Sequence, residues 1–316
     1  MKHLLAATAA FALTLPVSAQ EEPKGAPSPN QIVESAAASE WVAISPEDLL
    51  VMTLAPDAQG KARQVVIQLM PAPFSQGWVE NIRTLARAQW YDGISVNRVQ
   101  DNYVVQWGDP NVDNPEADGP AKPLPIGLNK VPETEYMTEA LGLALSMNEV
   151  EIEEDPYAET SFFEQGWPIS WAEAQSWPVH CYGMVGVGRS YSPDTGSGAE
   201  LYTVIGHAPR HLDRNIALVG RVIGGIEHLS SLPRGKGLLG FYEDAGKRVP
   251  IESIRIASDL PAAGQPDFEY LNTGGETFAR YADARGNRRD PFFITPVGGA
   301  DICNIPVPVR RINATK

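Results

Sequence analysis

The segment from Trp90 to Pro110 constrains the fold more than any other part of this chain. It reads as two β-strands rich in Val, Tyr, Trp and Ile, joined by a tight polar turn. One basic side chain, Arg98, stands near its centre in an otherwise apolar and amide-rich setting. Other strand signals surround it. Leu49 to Leu54 is a short apolar run, and Gln64 to Leu69 is a second, with the turn-rich Pro56 to Gly60 between them. Trp78, Ile82 and Leu85 recur at i, i+4 and i+7, which predicts an apolar stripe on a helix ending near Gln89. Ile251 to Ala257 alternates with period two, as a half-buried strand does.

The first residues carry the signature of export. Lys2 and His3 precede an apolar run from Leu4 to Leu15, then Pro16 and the small-residue site Val17-Ser18-Ala19. This pattern predicts a secretory signal peptide over residues 1–19, and the run is too short to span a bilayer, which takes ~20 residues. Residues 20–39 are rich in Glu, Pro, Ser and Ala and predict a flexible leader. A soluble, monomeric protein of the bacterial periplasm is the expectation. The formal net charge of −14 and pI near 4.8 disfavour nucleic acid and anionic membrane surfaces as partners. The two cysteines, Cys181 and Cys303, invite a disulfide in an oxidising compartment, with two buried thiols as the alternative.

Further along, Asn111 to Pro125 reads as loop, Thr134 to Met147 as helix, Glu149 to Glu154 as an acidic run, and Trp167 to Trp177 as a short Trp-rich helical piece. Resemblance to the motifs of a known family implies further strands at Tyr182 to Gly188, Leu201 to Ile205 and Ala217 to Gly225, with a second helix over Ile226 to Leu232.

The motifs resemble those of the cyclophilins, peptidyl-prolyl cis-trans isomerases. The matching residues are Tyr91-Asp92-Gly93, Asn97-Arg98-Val99, Tyr103-Val104-Val105-Gln106 and Gly108-Asp109-Pro110. A second block matches at Gly183 to Gly188, Leu201 to Ile205, His211-Leu212-Asp213 and Ala217 to Gly225. The resemblance implies a mainly β fold: an eight-stranded antiparallel barrel closed by two helices, spanning 40–260. A long insertion at about 111–179 interrupts it, and a C-terminal extension over 261–316 packs on the barrel. A Cys181–Cys303 bridge would tie that extension to the domain.

The resemblance also implies a site. Arg98 matches the family's catalytic arginine. Tyr103, Val104, Tyr202 and Leu212 match positions lining the proline pocket, and Gln106 matches the substrate-binding glutamine. Val185 and Gly186 match a pair whose backbone holds the peptide. Tyr103 and Tyr202 replace the usual Phe, Glu200 the usual Gln, His211 a frequent Trp, and Ile216 a frequent His. The chemistry needs no metal or cofactor. The amide C–N bond resists rotation with a barrier of ~18–20 kcal/mol. An apolar pocket that holds the ring, with a fixed guanidinium donating toward the twisted amide, lowers it. The function implied is isomerisation of Xaa-Pro bonds in proline-containing peptides or unfolded exported proteins. A weak or inactive binding module for a periplasmic partner is the alternative.

Competing constellations are poor. Asp109 to Pro120 has Asn114 and Pro120 where a calcium loop needs Gly and Glu. Gly196-Ser197-Gly198 lacks a hydrolase elbow, and Gly183 to Gly188 lacks dinucleotide-binding spacing. His180, His207, His211 and His228 show no metal-ligand spacing and are read as structural.

Overall fold

The computed structural model describes residues 25–112, 117, 119–139, 150–153 and 155–312. In chain order its regular elements are α1 (Pro29–Glu34), β1 (Trp41–Ala43), β2 (Leu49–Leu54), β3 (Arg63–Leu69), α2 (Gln76–Arg87), β4 (Ser95–Val99) and β5 (Val104–Gly108). Then come β6 (Thr138–Glu139), β7 (Glu151–Glu153), β8 (Thr160–Glu164), β9 (Trp167–Ala172), β10 (Gln175–Pro178), β11 (Met184–Val187), β12 (Leu201–Val204) and β13 (Leu218–Gly224). The chain finishes with α3 (Glu227–Ser230), β14 (Val249–Ile256), β15 (Phe268–Leu271), α4 (Glu276–Gly286) and β16 (Val309–Arg311).

Eight strands close into an antiparallel barrel in the order β11-β12-β5-β4-β14-β2-β3-β13, with β13 pairing back onto β11. Closure removes free edges. Met52, Val65, Ile67, Trp107, Val185 and Ile254 share one core with the apolar face of α2, where Trp78, Val79, Ile82 and Leu85 are fully buried. Each such side chain contributes ~1.5–3 kcal/mol of burial. The continuous apolar run of β2 has a structural cause. Leu50, Met52 and Leu54 belong to the main core, while Leu49 and Val51 pack with Ile44, Val66, Ala257 and Phe268 in a second cluster. Phe268 comes from the C-terminal extension, so the extension covers the strand's other face.

Two smaller sheets flank the barrel. One has the order β1-β15-β16 and joins the segment before the barrel to the C-terminal extension. The other has the order β6-β10-β9-β8-β7 and is built from the insertion. Phe162, Phe163, Trp167 and Ile169 of this second sheet are buried in the same core as the barrel. The insertion thus lies outside the barrel wall but is packed against it. Cys181 and Cys303 form a disulfide with Cα atoms 5.1 Å apart, bridging 122 residues of chain. The extension's Ile302 and Ile305 are buried nearby.

Four local expectations need correction. Trp167 to Trp177 is not helical but a hairpin, β9 against β10, with Trp167 and Ile169 alternating inward. Residues 133–136 form one turn of 3-10 helix and 138–139 a short strand, where a helix was expected from Thr134; positions 140–147 lie outside the described residues. The leader read as flexible over 20–39 contains α1, which Ser28 caps with its hydroxyl while Gln31 returns a bond to the Ser28 N–H. Ile32 anchors that helix in the core. The second helix, expected over Ile226 to Leu232, is the single turn α3. The signal segment, 1–19, lies outside the described residues. Among the described residues no helix is long and apolar enough to cross a membrane.

Candidate active site

Antiparallel register assembles the site. Arg98 on β4 stands opposite Gln106 on β5, Gln106 opposite Tyr202 on β12, and Tyr202 opposite Gly186 on β11. Directly paired residues share a sheet face, so these positions form one row across four strands on the outer barrel wall. The alternate residues Val105 and Leu201 point into the core. The row opens onto a cleft of about 970 Å³, lined among others by Arg98, Tyr103, Val104, Gln106, Tyr202 and Leu212.

The Arg98 guanidinium is held from three sides. Nε donates to the Leu239 carbonyl at 2.7 Å, Nη1 to Gln106 Oε1 at 2.9 Å, and Nη2 to Gln100 Oε1. Gln106 Nε2 then donates to Glu200 Oε2 at 2.8 Å. The guanidinium carbon also lies 5.8 Å from the Tyr103 ring centre and 5.7 Å from that of Phe241. An arginine carries five N–H donors, so the fork is fixed and N–H protons remain for another acceptor. Burial pushes its pKa down, while Tyr103 and Glu200 push it back up; so high a starting value leaves the charge in place at neutral pH.

Beside this donor, Val104, Tyr202 and Val204 form an apolar cluster completed by Tyr103, Leu212 and Ile216. Tyr103 stacks on His211, with ring centres 6.2 Å apart. The Tyr202 hydroxyl, absent from a phenylalanine, is satisfied beneath the pocket by His180 Nε2 at 2.8 Å. His180 Nδ1 faces Asp213 Oδ1 at 2.8 Å, which selects the tautomer with its proton on Nδ1 and leaves Nε2 to accept from Tyr202. Burial pushes the Tyr202 hydroxyl well above its ordinary pKa, so it stays a proton donor.

The chain of bonds continues. Arg210 Nε donates to Asp213 Oδ2 at 2.7 Å, and its Nη2 donates to Asp155 Oδ2 at 2.9 Å and Ser170 Oγ at 3.0 Å. Ser161 also donates to Asp155. Every member, from Tyr202 to Ser170, is buried. A polar chain therefore runs from the floor of the pocket into the insertion sheet. Burial opposes ionisation of Asp155 most strongly, yet hydrogen bonds from Ser161 and Arg210 outweigh it and hold the carboxyl below its ordinary value. Asp155→Asn keeps the shape and loses the charge. It should cost about 1.5–3 kcal/mol, the worth of a hydrogen bond to a charged group, in urea unfolding at pH 7. Because the folded pKa is depressed, that contribution is complete above the unfolded value near ~3.9 and disappears as pH falls through the folded one. An equal loss at pH 7 and pH 2 would contradict this account.

Six of the eight residues assigned by resemblance line the cleft: Arg98, Tyr103, Val104, Gln106, Tyr202 and Leu212. Val185 and Gly186 do not. Val185 points into the barrel core, and both backbones pair with β12 on one side and β13 on the other. The wall on that side is made by Val187, Gly188 and Arg189 instead. Gly186 has a different task. A Cβ there would lie 2.3 Å from the Tyr202 hydroxyl oxygen and 2.4 Å from its ring. Gly186→Ala should therefore displace Tyr202, costing about 1–3 kcal/mol as overpacking does; melting and peptide affinity measured together would show both effects. Leu239 and Phe241 were missed by sequence reasoning. They lie in a Gly-flanked loop after α3, and Leu239 adopts φ 55° to aim its carbonyl at Arg98. Apolar residues in such a loop were the available signal.

A barrel whose outer wall sets a fixed arginine and glutamine beside an apolar, aromatic pocket defines the class of the peptidyl-prolyl isomerase barrels. The sequence agrees: the family profile "Cyclophilin type peptidyl-prolyl cis-trans isomerase/CLD" matches residues 60–258. The chain belongs to the cyclophilin-type peptidyl-prolyl cis-trans isomerase family. Among solved structures it is similar to cyclophilin AquaCyp293 from Hirschia baltica, with a TM-score of 0.62 and 21% identity over 87% of this chain and 95% of that one. A cyclophilin-type isomerase from Cryptosporidium parvum, solved in the presence of the dipeptide Ala-Pro, matches at TM-score 0.36 and 12% identity over 65% of this chain and 98% of that one. No match was found among curated proteins.

Proposed function

We propose that this protein is an active prolyl isomerase that assists the folding of exported proteins, with Arg98 as its catalytic donor. The observation that carries the reading is the guanidinium held in place, with N–H protons to spare, at the edge of the pocket formed by Tyr103, Val104, Tyr202 and Leu212. The pocket takes the proline ring out of water. Arg98 then donates toward the prolyl amide as its nitrogen loses conjugation, where a preorganised charge lowers the barrier most. Gln106 holds Arg98 and presents its own amide to the peptide. The disulfide supports an oxidising compartment, in keeping with the export signal read from residues 1–19.

A second reading has one observation in its favour. Glu200 stands where the family's glutamine is usual and accepts from Gln106, placing a negative charge on the rim. A module that holds proline segments without turning them over would tolerate that charge. A protease-coupled assay on a short Xaa-Pro peptide decides. Exchange of the free peptide takes tens to hundreds of seconds. Acceleration proportional to protein concentration is the expected result; binding of the peptide with no acceleration would establish the second reading instead.

A further inference from the structure

A second cavity, of about 330 Å³, lies where the insertion, the barrel and the C-terminal extension meet. Its size is at the lower end of the ~300–1,000 Å³ usual for small-molecule sites. Its walls are mostly apolar: Phe163 from the insertion, Met184 and Val222 from the barrel, and Ile302, Ile305 and Val307 from the extension. The disulfide Cys181–Cys303 closes one side.

The charges in that wall are two arginines, Arg221 and Arg285, and no carboxylate lines it. That is unexpected in a chain with 39 acidic and 25 basic residues. Arg221 is only 7% exposed. Its Nε donates to Gln68 Oε1 at 2.9 Å and its Nη1 to the Gly166 carbonyl at 2.6 Å. The guanidinium carbon sits 4.5 Å from the Trp167 ring centre. Its Nη2 is buried and has no hydrogen-bond partner. Among the described residues neither arginine forms an ion pair, and Arg285 Nε donates to the Asn304 carbonyl at 2.7 Å. A buried cation without a counter-ion is unfavourable by several kcal/mol. Burial pushes Arg221 down to about 10, so it still carries its charge at neutral pH.

We propose that this cavity is a binding site for a small amphipathic monocarboxylate, whose carboxylate meets Arg221 and whose hydrocarbon part lies among Met184, Ile302, Ile305 and Val307. With Nε and one Nη1 proton already given to Gln68 and Gly166, the Nη2 protons and the second Nη1 proton are the donors left for a carboxylate, and the apolar walls favour a hydrocarbon tail over a heavily hydrated polyanion. The site is separate from the Arg98 cleft, so it stands or falls independently of the isomerase reading.

Isothermal titration of the full-length protein with octanoate tests it. Saturable binding at one site per chain is expected, with octanol bound about tenfold more weakly because it lacks the charge-assisted bond. Arg221→Gln should weaken octanoate by a similar factor, and Arg98→Ala should leave it unchanged. Val307→Trp, which fills the cavity and keeps Arg221, should abolish binding; this variant decides the matter if Arg221→Gln does not fold. Absence of saturable binding, equal affinity for octanol, or octanoate binding unaffected by Val307→Trp would each overturn the proposal and leave Arg221 as a strut between barrel and insertion.

Discussion

Arg98→Ala is expected to lower kcat/KM for Xaa-Pro isomerisation by about 10²–10³-fold, the range seen when one preorganised transition-state donor is removed. The reaction involves no nucleophile or proton relay that could compensate. The variant should still fold. Arg98 lines an open cleft, and the groups it leaves, Gln106, Gln100 and the Leu239 carbonyl, sit where water can reach them. A loss of about 1 kcal/mol is the expectation for such bonds, more than an exposed strand arginine with no partners would show. Arg98→Lys sharpens the test. It keeps the charge but not the planar fork, and so cannot hold Leu239 and Gln106 while donating to substrate. It should remain at least tenfold impaired, as a directional donor requires. Full activity in Arg98→Ala, with an unchanged melting curve, would remove Arg98 from the mechanism.

The barrel was legible because its strands obey local rules. Leu49 to Leu54 coincides with β2 as read, since apolar residues bounded by turn residues leave little choice. The stripe of Trp78, Ile82 and Leu85 locates α2. The hairpin of β9 and β10 was hidden by its turn. Glu173 and Ala174 both adopt positive φ, 51° and 60°, without the Asn or Gly that usually announces such a turn. Three tryptophans over Trp167 to Trp177 then resembled a helical face. Helix α1 was hidden by brevity: six residues, recognisable only from the cap formed by Ser28 and Gln31.

The candidate site divides in the same way. Arg98 and Gln106 are close in sequence, and the hairpin brings them together. The buried chain from Tyr202 through His180, Asp213 and Arg210 to Asp155 is assembled from distant segments. Tyr202 and Asp213 lie in matched motifs, but His180, Arg210 and Asp155 carry no local signal, and no spacing in the sequence shows that the five meet. His180 shows no metal-ligand spacing in the sequence; in the fold its ring bonds Asp213 and Tyr202 and supports the pocket floor. The tyrosine that departs from the family pattern and the histidine beneath it are therefore one feature. The hydroxyl gained at position 202 needs a buried acceptor, and the insertion helps to provide the network that holds that acceptor.

Removing the disulfide should have the largest effect on stability. Cys303→Ser opens a loop closed across 122 residues. In the chain-entropy account the freed unfolded state costs the folded protein about 4–5 kcal/mol, a large share of the 5–15 kcal/mol that holds a typical domain. The folded state feels the cut in a definite place. Ile302 and Ile305, buried beside the bridge, belong to the main core. Cys181 follows His180, whose ring supports Tyr202. The extension is also held by β15 and β16, so it should stay docked at low denaturant and release with the rest of the fold. Guanidinium unfolding should show a lower midpoint for Cys303→Ser, and the same shift for the unmutated protein under a strong thiol reductant. Turnover of an Xaa-Pro peptide by Cys303→Ser then separates two effects of the bridge, one on the unfolded chain and one on the His180 that supports Tyr202. A lowered midpoint with peptide turnover retained would mean that the bridge acts on the unfolded chain. Lost turnover in the folded variant would mean that it also positions His180 under the pocket. An unchanged midpoint in both the variant and the reduced protein would show that the bridge constrains neither state.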